Sequence, residues 1–456
     1  MVSRYIAAAK RRSYGNDFIS FTEVIDSMQI KGNLLRHGVA LADKKTASRD
    51  LPVEVLPAPD AVAVCMSQHI GKPAQPVVQP GDAVAQGQLI ARADGPVSAN
   101  IFSPVSGTVK ALETRRDDRG ASAQYVVIEN DGQYTRAFLP PVAEKTKENI
   151  LSRIREAGIV GLGGAAFPTH VKVTPKTPVD TLIINGAECE PYLTCDYRLM
   201  LEKYAELLRG IRYLATALGV EKIYVGIEKN KPDCIERFSA EEDVITVPLR
   251  ERYPMGSEKH LIYSCTKRKV PCGKLPADVG CVVQNVATAY AVYEAVELGK
   301  PLFERVLTVS GGAVKDPKNL LVPNGTSFAY ILDRCGLEEN CAMVVDGGPM
   351  MGVAVSDLNV VTKKATSGVL ALTRKEIDGR LPTPCISCGR CARACPMHLM
   401  PMDIDFYTQN EDYEGARDRG GVLNCIECGS CAYVCPAKRP IVQSVRTAKA
   451  KLRELK

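Results

Sequence analysis

Cys385-Ile-Ser-Cys388-Gly-Arg-Cys391-Ala-Arg-Ala-Cys395-Pro396 and Cys425-Ile-Glu-Cys428-Gly-Ser-Cys431-Ala-Tyr-Val-Cys435-Pro436 share one spacing, Cys-x2-Cys-x2-Cys-x3-Cys-Pro. Three thiolates two residues apart wrap a tight loop around one face of a [4Fe-4S] cubane. The fourth, beside a proline, cannot turn back far enough and ligates the other cluster. The spacing therefore predicts crossed ligation: Cys385, Cys388, Cys391 and Cys435 on cluster 1, and Cys425, Cys428, Cys431 and Cys395 on cluster 2. Structural zinc also uses Cys-x2-Cys pairs but needs only four ligands. Two complete four-cysteine runs, each ending in Cys-Pro, favour the clusters.

The 29 residues between Cys395 and Cys425, rich in Met, Asp and Tyr, exceed the short spacer of small bacterial ferredoxins. They predict a helical ferredoxin-type domain over residues 373–456, ending in a basic helix after Pro440. On that helix Ile441, Val445, Leu452 and Leu455 group together, so it either closes the domain or meets acidic partner loops or anionic head groups. The other nine cysteines, among them Cys189, Cys195, Cys265, Cys272 and Cys281, have no ligand spacing and are expected as buried small hydrophobes. The five histidines form no ligand or catalytic pattern. Seventeen cysteines without a secretion signal fit reduced thiols and metal clusters better than a disulfide scaffold. No apolar run reaches the roughly 18 residues of a bilayer span, so a chain without a transmembrane segment, on the cytoplasmic side, is expected. A net charge of +6, with Trp absent and no dense basic stripe, argues against nucleic-acid binding.

Upstream, 456 residues predict three or four domains. Residues 1–60 read as an N-terminal arm and linker ending in Leu51-Pro-Val-Glu-Val-Leu-Pro-Ala-Pro-Asp60, an extended connector. Residues 61–138 carry short alternating segments split by turns such as Pro80-Gly81-Asp82 and Ser103-Pro104-Val105-Ser106-Gly107. This all-β unit resembles the barrel-sandwich hybrid of lipoyl and biotinyl domains, but its hairpin candidate, Ala93-Asp94-Gly95-Pro96, has no lysine to carry a cofactor. A structural role follows. Residues 145–300 alternate a helix over 150–157, a strand at 181–185, an amphipathic helix over 197–218 and strands at 222–227 and 244–248, which imply a largely parallel sheet. Residues 301–372 read as a small β-rich unit ending near Gly336, with a connector after it. The fold class expected is multidomain α/β and α+β.

Residues 158–172, Gly-Ile-Val-Gly-Leu-Gly-Gly-Ala-Ala-Phe-Pro-Thr-His-Val-Lys, lack the G-x-G-x-x-G register after a strand. Their glycines still let backbone N–H groups approach a phosphate and leave room for a flat ring. After them come Asn185-Gly-Ala-Glu188-Cys-Glu190-Pro191-Tyr192, Tyr253-Pro-Met-Gly-Ser-Glu258-Lys259, Gly273-Lys274-Leu-Pro-Ala-Asp-Val-Gly280 and Gln284-Asn285-Val-Ala-Thr288. In that order they resemble the FMN- and NADH-binding subunit of respiratory complex I. Over nearly the whole chain, with the sandwich unit, a β-grasp (SLBB) unit, Gly347-Gly-Pro-Met-Met-Gly352 and the paired cysteine runs, the sequence is similar to the RnfC family, soluble subunits of the Rnf ferredoxin:NAD oxidoreductases.

The resemblance implies noncovalent FMN lined by Gly161, Gly163, Gly164 and Lys172, hydrogen-bonded by Asn185 and Glu188, with Asn285 and Thr288 at the ribityl phosphate. It places Phe167 near the nicotinamide of NAD(H), and Glu258 and Lys274 on the dinucleotide. It implies no catalytic residue beyond the cofactors. Leu162 stands where complex I has arginine, and Ser257 where it has the first glutamate of an acidic pair. The Gly-Gly-Ile-His-Pro-Pro segment usual in the family is missing around residues 31–50, which leaves the arm's role open. A hydride carries two electrons and a cluster passes one, so a flavin between them converts one kind of transfer into the other. Three readings follow. The first is the NAD-facing peripheral subunit of a membrane complex, assembled with membrane and ferredoxin-like subunits, that couples electron transfer between ferredoxin and NAD to ion translocation. The second is a cobalamin reductase of a bacterial microcompartment, although such proteins begin near the flavin core and this chain has about 150 residues before it. The third is a plain electron carrier whose glycine loops only pack.

Overall fold

Four parallel strands lie in the spatial order Ile245–Leu249, Lys222–Glu228, Thr181–Gly186, Cys281–Asn285 in the computed structural model, which describes residues 37–455. Most of the expected N-terminal arm lies outside the described residues. Leu182, Ile183 and Ile184 are fully buried, as a strand covered on both faces must be. Numbered along the chain the order is 3-2-1-4. The sheet therefore reverses its direction of growth between Thr181–Gly186 and Cys281–Asn285, and ligands of such sheets bind outside the carboxyl ends at that switch. Asn185 and Asn285 are paired there, each the neighbour of the other across the two strands.

The helix Lys147–Glu156 starts on Thr146, whose hydroxyl accepts the Asn149 N–H, and buries Ile150 and Ile154. The single helix expected over 197–218 is two, Cys195–Glu202 and Tyr204–Leu218, because Lys203 leaves the helical region at φ −120°, ψ 33°. The apolar period continues through the break, which is why the residues read as one helix. Gly210 brings the second of them against Val286–Glu297: a Cβ at Gly210 would stand 1.9 Å from the Ala289 carbonyl oxygen.

Before this unit, two small antiparallel sheets sandwich Val64, Ile90, Ile101, Val126 and Ile128. One holds Ala61–Cys65, Ser122–Asn130, Gly107–Arg116 and Ala83–Val84; the other holds Gln75–Pro76, Leu89–Arg92 and Ile101–Phe102. Lys364 bolts sandwich to α/β unit. It is fully buried, and its Nζ donates to the carbonyls of Asn100 at 2.6 Å and Gly158 at 2.7 Å.

A six-stranded sheet follows, ordered Val53–Val55, Lys318–Pro323, Glu304–Ser310, Gly368–Thr373, Cys341–Asp346, Val353–Val355. It corrects two expectations. The unit does not end near Gly336, and the proline-rich stretch is not only a connector, since Val53–Val55 is an edge strand parallel to Lys318–Pro323. An edge tolerates flanking prolines, and three residues paired to a distant segment leave no periodic trace.

The cysteine domain is helical: Arg390–Ala394, Pro401–Gln409, Tyr413–Asp418, Ser430–Tyr433 and Ile441–Glu454. The last helix buries Ile441, Val445, Ala448 and Leu452. Leu455, expected on that face, lies past the helix end and is 69% exposed. Arg446 and Lys449 pair with Glu427 of the second cysteine loop, so this helix closes its own domain. Of the cysteines outside the runs, Cys65, Cys195, Cys234, Cys281 and Cys335 are buried, but Cys272 is exposed. It sits on a polar loop and its thiol donates to Asn424 Oδ1 at 2.7 Å. No described helix is long and apolar enough to cross a membrane.

Candidate functional site

The cysteines of the two runs line two hollows. Cys385, Cys388, Cys391 and Cys435 share one with Ile386, Met402 and Ile441. Cys395, Cys425, Cys428 and Cys431 share the other with Ile404 and Val445. The backbone explains the exchange of the fourth cysteines. In each run the residue before the second cysteine is left-handed, Ser387 at φ 53° and Glu427 at φ 57°, and so is the glycine after it, Gly389 and Gly429. The turn aims the Ser387 N–H at Cys385 Sγ and the Glu427 N–H at Cys425 Sγ, each at 3.4 Å. A short helix then carries the third cysteine away, and Cys395 leaves it in extended conformation at φ −67°, ψ 115°. Burial pushes the thiols of Cys391, Cys395 and Cys425 up, the last to about 11. Four sulfurs around one apolar hollow suit a cationic metal core, which holds its thiols deprotonated.

At the switch point the glycine segment folds over the strand ends. The Gly161 N–H donates to the Phe167 carbonyl at 2.9 Å and the Thr169 N–H to that of Ile159 at 3.0 Å. These bonds close a loop whose tip, Gly163-Gly164-Ala165, is exposed. The Leu162 N–H donates to Thr288 Oγ1 at 2.9 Å. Gly163 lies on Asn285, since a Cβ there would stand 3.0 Å from the Asn285 Cβ, whereas Gly164 faces open space. Asn285 in turn caps the helix Val286–Glu297 by accepting the Ala287 N–H at 2.8 Å. Exposed glycine backbone beside the positive dipole end of a helix fits a phosphate, and the open face of Gly164 leaves space for a ring. Asn185 Nδ2 donates to the Gly256 carbonyl at 2.8 Å, two residues before Glu258, and Glu258 Oε1 takes Lys172 Nζ at 2.6 Å. Lys274 is not brought in: it is exposed on the loop before Pro276–Val279 and has no ion-pair partner among the described residues.

Glu188 is enclosed. Its Oε1 accepts the Asp196 N–H at 2.7 Å, while Oε2 has no hydrogen bond and lies 3.7 Å from Lys45 Nζ. Burial pushes the carboxyl up to about 7, against the pull of Lys45. Glu190 is also pushed up to about 7 by burial, and its oxygens accept the Met350 and Met351 N–H groups at 3.0 and 2.9 Å. Lys45 and Asp196 carried no spacing signal in the sequence. Glu190 lies inside the Glu-Cys-Glu-Pro-Tyr motif, where the resemblance assigns it no role.

The Cys428 hollow backs onto this turn. Cys428 packs in one apolar cluster with Val39, Cys189, Tyr253 and Met350, and His260 Nε2 meets the Pro396 carbonyl at 3.0 Å. The Gly347-Gly-Pro-Met-Met-Gly352 loop thus touches Glu190 on one side and Gly429 on the other, where a Cβ would stand 2.8 Å from the Met350 carbonyl. Cys385 and Cys388 of the other hollow are exposed.

The same division recurs in known proteins. Residues 34–133 match the RnfC barrel sandwich hybrid domain, 154–294 the Nuo51 FMN-binding domain, 306–354 the SLBB domain and 378–436 the 4Fe-4S dicluster domain. The C component of the proton-translocating ferredoxin:NAD(+) oxidoreductase complex of Clostridium ljungdahlii is 48% identical over 92% of this chain and 94% of its own. Its counterpart in the ion-translocating oxidoreductase complex of Rhodobacter capsulatus is 43% identical, over 92% and 83%. That of the Na(+)-translocating ferredoxin:NAD(+) oxidoreductase complex of Acetobacterium woodii is 39% identical, over 93% and 98%. With an FMN-binding domain, two four-cysteine hollows and relatives aligned along nearly their full length, the chain belongs to the RnfC family of ion-translocating oxidoreductase components.

Proposed function

We propose that this chain passes electrons between NAD(H) and one-electron carriers, through FMN at the sheet's switch point and two [4Fe-4S] clusters. It would do so as the peripheral, cytoplasmic-side subunit of a membrane complex that links ferredoxin and NAD to ion movement. The observation that carries the reading is the turn Glu188-Cys189-Glu190, which borders the switch point on one side and the Cys428 hollow on the other. A flavin bound there supplies the exchange of a hydride for single electrons.

The chain's own residues bind, orient and insulate. Gly161, Gly163 and Gly164 leave room at the helix start, Asn285 and Thr288 fix the loop, Asn185 stands at the strand end, Glu188 is assigned to the flavin on resemblance while its carboxylate is enclosed, and Lys172 answers Glu258. Phe167, Glu258 and Lys274 are assigned to the dinucleotide, Lys274 on resemblance alone. A cluster held by Cys395, Cys425, Cys428 and Cys431 (cluster 2) would lie nearer the turn, and one held by Cys385, Cys388, Cys391 and Cys435 (cluster 1) would have the exposed ligands, which supports an order of flavin, cluster 2, cluster 1, partner. The relatives' names support the partners: further membrane and ferredoxin-like subunits of the same complex. They do not favour a microcompartment cobalamin reductase.

Purified anaerobically, the protein should release about one FMN on denaturation, and NADH should bleach the flavin and then reduce both clusters. NADH-dependent absorbance change confined to the clusters, with no flavin released, would overturn the reading.

A further inference from the structure

Lys45 comes from the arm, outside the residues that resemble a flavin domain, yet it is buried at the site. Its Nζ donates to the carbonyls of Glu188 at 3.0 Å, Glu190 at 3.1 Å and Leu193. An ammonium has three protons, and these carbonyls take all three. Glu188 Oε2, 3.7 Å away, therefore receives charge without a hydrogen bond. From Glu188 the contacts continue: Oε1 accepts the Asp196 N–H, and Asp196 Oδ2 accepts Asn285 Nδ2, both at 2.7 Å. Asn285 bears on Gly163 and caps the helix start. One buried line thus runs from the arm to the glycine loop.

The other charged groups facing the two carboxyls are Lys231, which pairs with Glu228 at 3.2 Å, and Arg305; the Cys195 thiol lies within 4.8 Å of both carboxyls. Burial pushes both carboxyls up, and Lys45 leads the groups that hold Glu188 down, as Asn285 does for Asp196.

We propose that Lys45 and Asp196 are positioning residues of the flavin site: Lys45 fixes the 188–193 turn and favours the charged form of Glu188, while Asp196 holds the Asn285 amide against the glycine loop. The Glu188–Asp196 pair then binds one proton from solvent when negative charge is added at the flavin, and returns it when that charge leaves. The inference rests on the flavin reading above.

The test uses the full-length protein with its clusters, comparing FMN affinity and the flavin midpoint potential against pH for wild type, K45M, K45R, D196N and D196A. The wild-type potential should change slope near pH 7, because burial pushes the Glu188 carboxyl of this pair up to about 7. K45M should weaken FMN about ten-fold or more and move the break to higher pH, because a buried charge loses its partner. K45R should restore most of both. D196A should lose FMN as K45M does, whereas D196N, which keeps an acceptor oxygen for Asn285, should hold FMN and shift only the break. Should K45M fail to fold, the nearly isosteric D196N decides on the break alone. Variants with wild-type affinity and pH profile would overturn this inference and leave the flavin reading standing; a wild type that holds clusters but no flavin would overturn both.

Discussion

Replacing Cys395 by alanine takes one sulfur from the hollow of Cys425, Cys428 and Cys431 and none from that of Cys385, Cys388 and Cys391. The packing loss is small, about 1 kcal/mol for one buried atom's worth of volume, so the domain should still fold. The ligand loss is large: about four of eight irons per chain should go, rather than a share from each cluster. Which four are lost decides the electrical outcome. The Cys428 hollow lies against Cys189, Tyr253 and Met350, while the other holds the exposed Cys385 and Cys388. C395A should therefore leave a flavin that NADH reduces and a cluster 1 that stays oxidised. C435A is the mirror case, in which NADH still reduces cluster 2. Iron and sulfide analysis, with low-temperature EPR before and after anaerobic NADH, reads both outcomes. If C395A instead lost the centre of Cys385, Cys388 and Cys391, the crossed ligation would be wrong; if its remaining centre were reduced by NADH at the wild-type rate, the order of transfer would be wrong.

Two further perturbations act on the scaffold. G210A must push apart the helices Tyr204–Leu218 and Val286–Glu297, since its Cβ would meet the Ala289 carbonyl oxygen at 1.9 Å; a cost of about 1–3 kcal/mol should lower the melting temperature and, because the second helix follows Asn285 and carries Thr288, weaken FMN in parallel. Lys364 is pushed down to about 7 from an ordinary 10.5 by burial alone, so above pH 7 the unfolded chain binds the extra proton and stability should rise as pH climbs towards 10. The full effect is about 5 kcal/mol, and a neutral amine still has two N–H groups for Asn100 and Gly158; urea midpoints that fall between pH 7 and 9, or that K364M leaves with the same pH slope, would contradict this.

What the sequence made legible was local. Each cysteine run carries its loop geometry in adjacent residues, because the left-handed turns at Ser387 and Glu427 and the glycines beside them are set within four positions. The burial of Thr181–Gly186 shows as an unbroken Leu-Ile-Ile. What stayed hidden joins residues far apart in the chain. Val53–Val55 pairs with Lys318–Pro323, Lys364 reaches Asn100 and Gly158, and Lys45 serves Glu188. A lone lysine looks the same whether it meets solvent or three buried carbonyls. The break at Lys203 was hidden for a different reason: helical periodicity records which face is buried, not whether the backbone is continuous.

The glycine segment shows why a motif can be absent while its physics is present. In the common dinucleotide arrangement the glycines link the first strand to the helix after it, so spacing and phosphate site lie in one stretch. Here the glycines precede the first strand of the sheet, and the helix start they lie beside follows the last, more than a hundred residues later. The proposed phosphate site is therefore assembled from two segments. Leu162 N–H on Thr288 and Gly163 on Asn285 are the joints. The readable sign is then not a glycine register but an asparagine at the end of each of two neighbouring parallel strands, Asn185 and Asn285. One holds Gly256 and the other faces the loop, Asp196 and the helix cap together. Each has a local structural role, but together they put a polar residue at both carboxyl ends flanking the point where strand order reverses, which is where such sheets bind ligands, and that position makes the pair a stronger pointer to a ligand than the glycines alone.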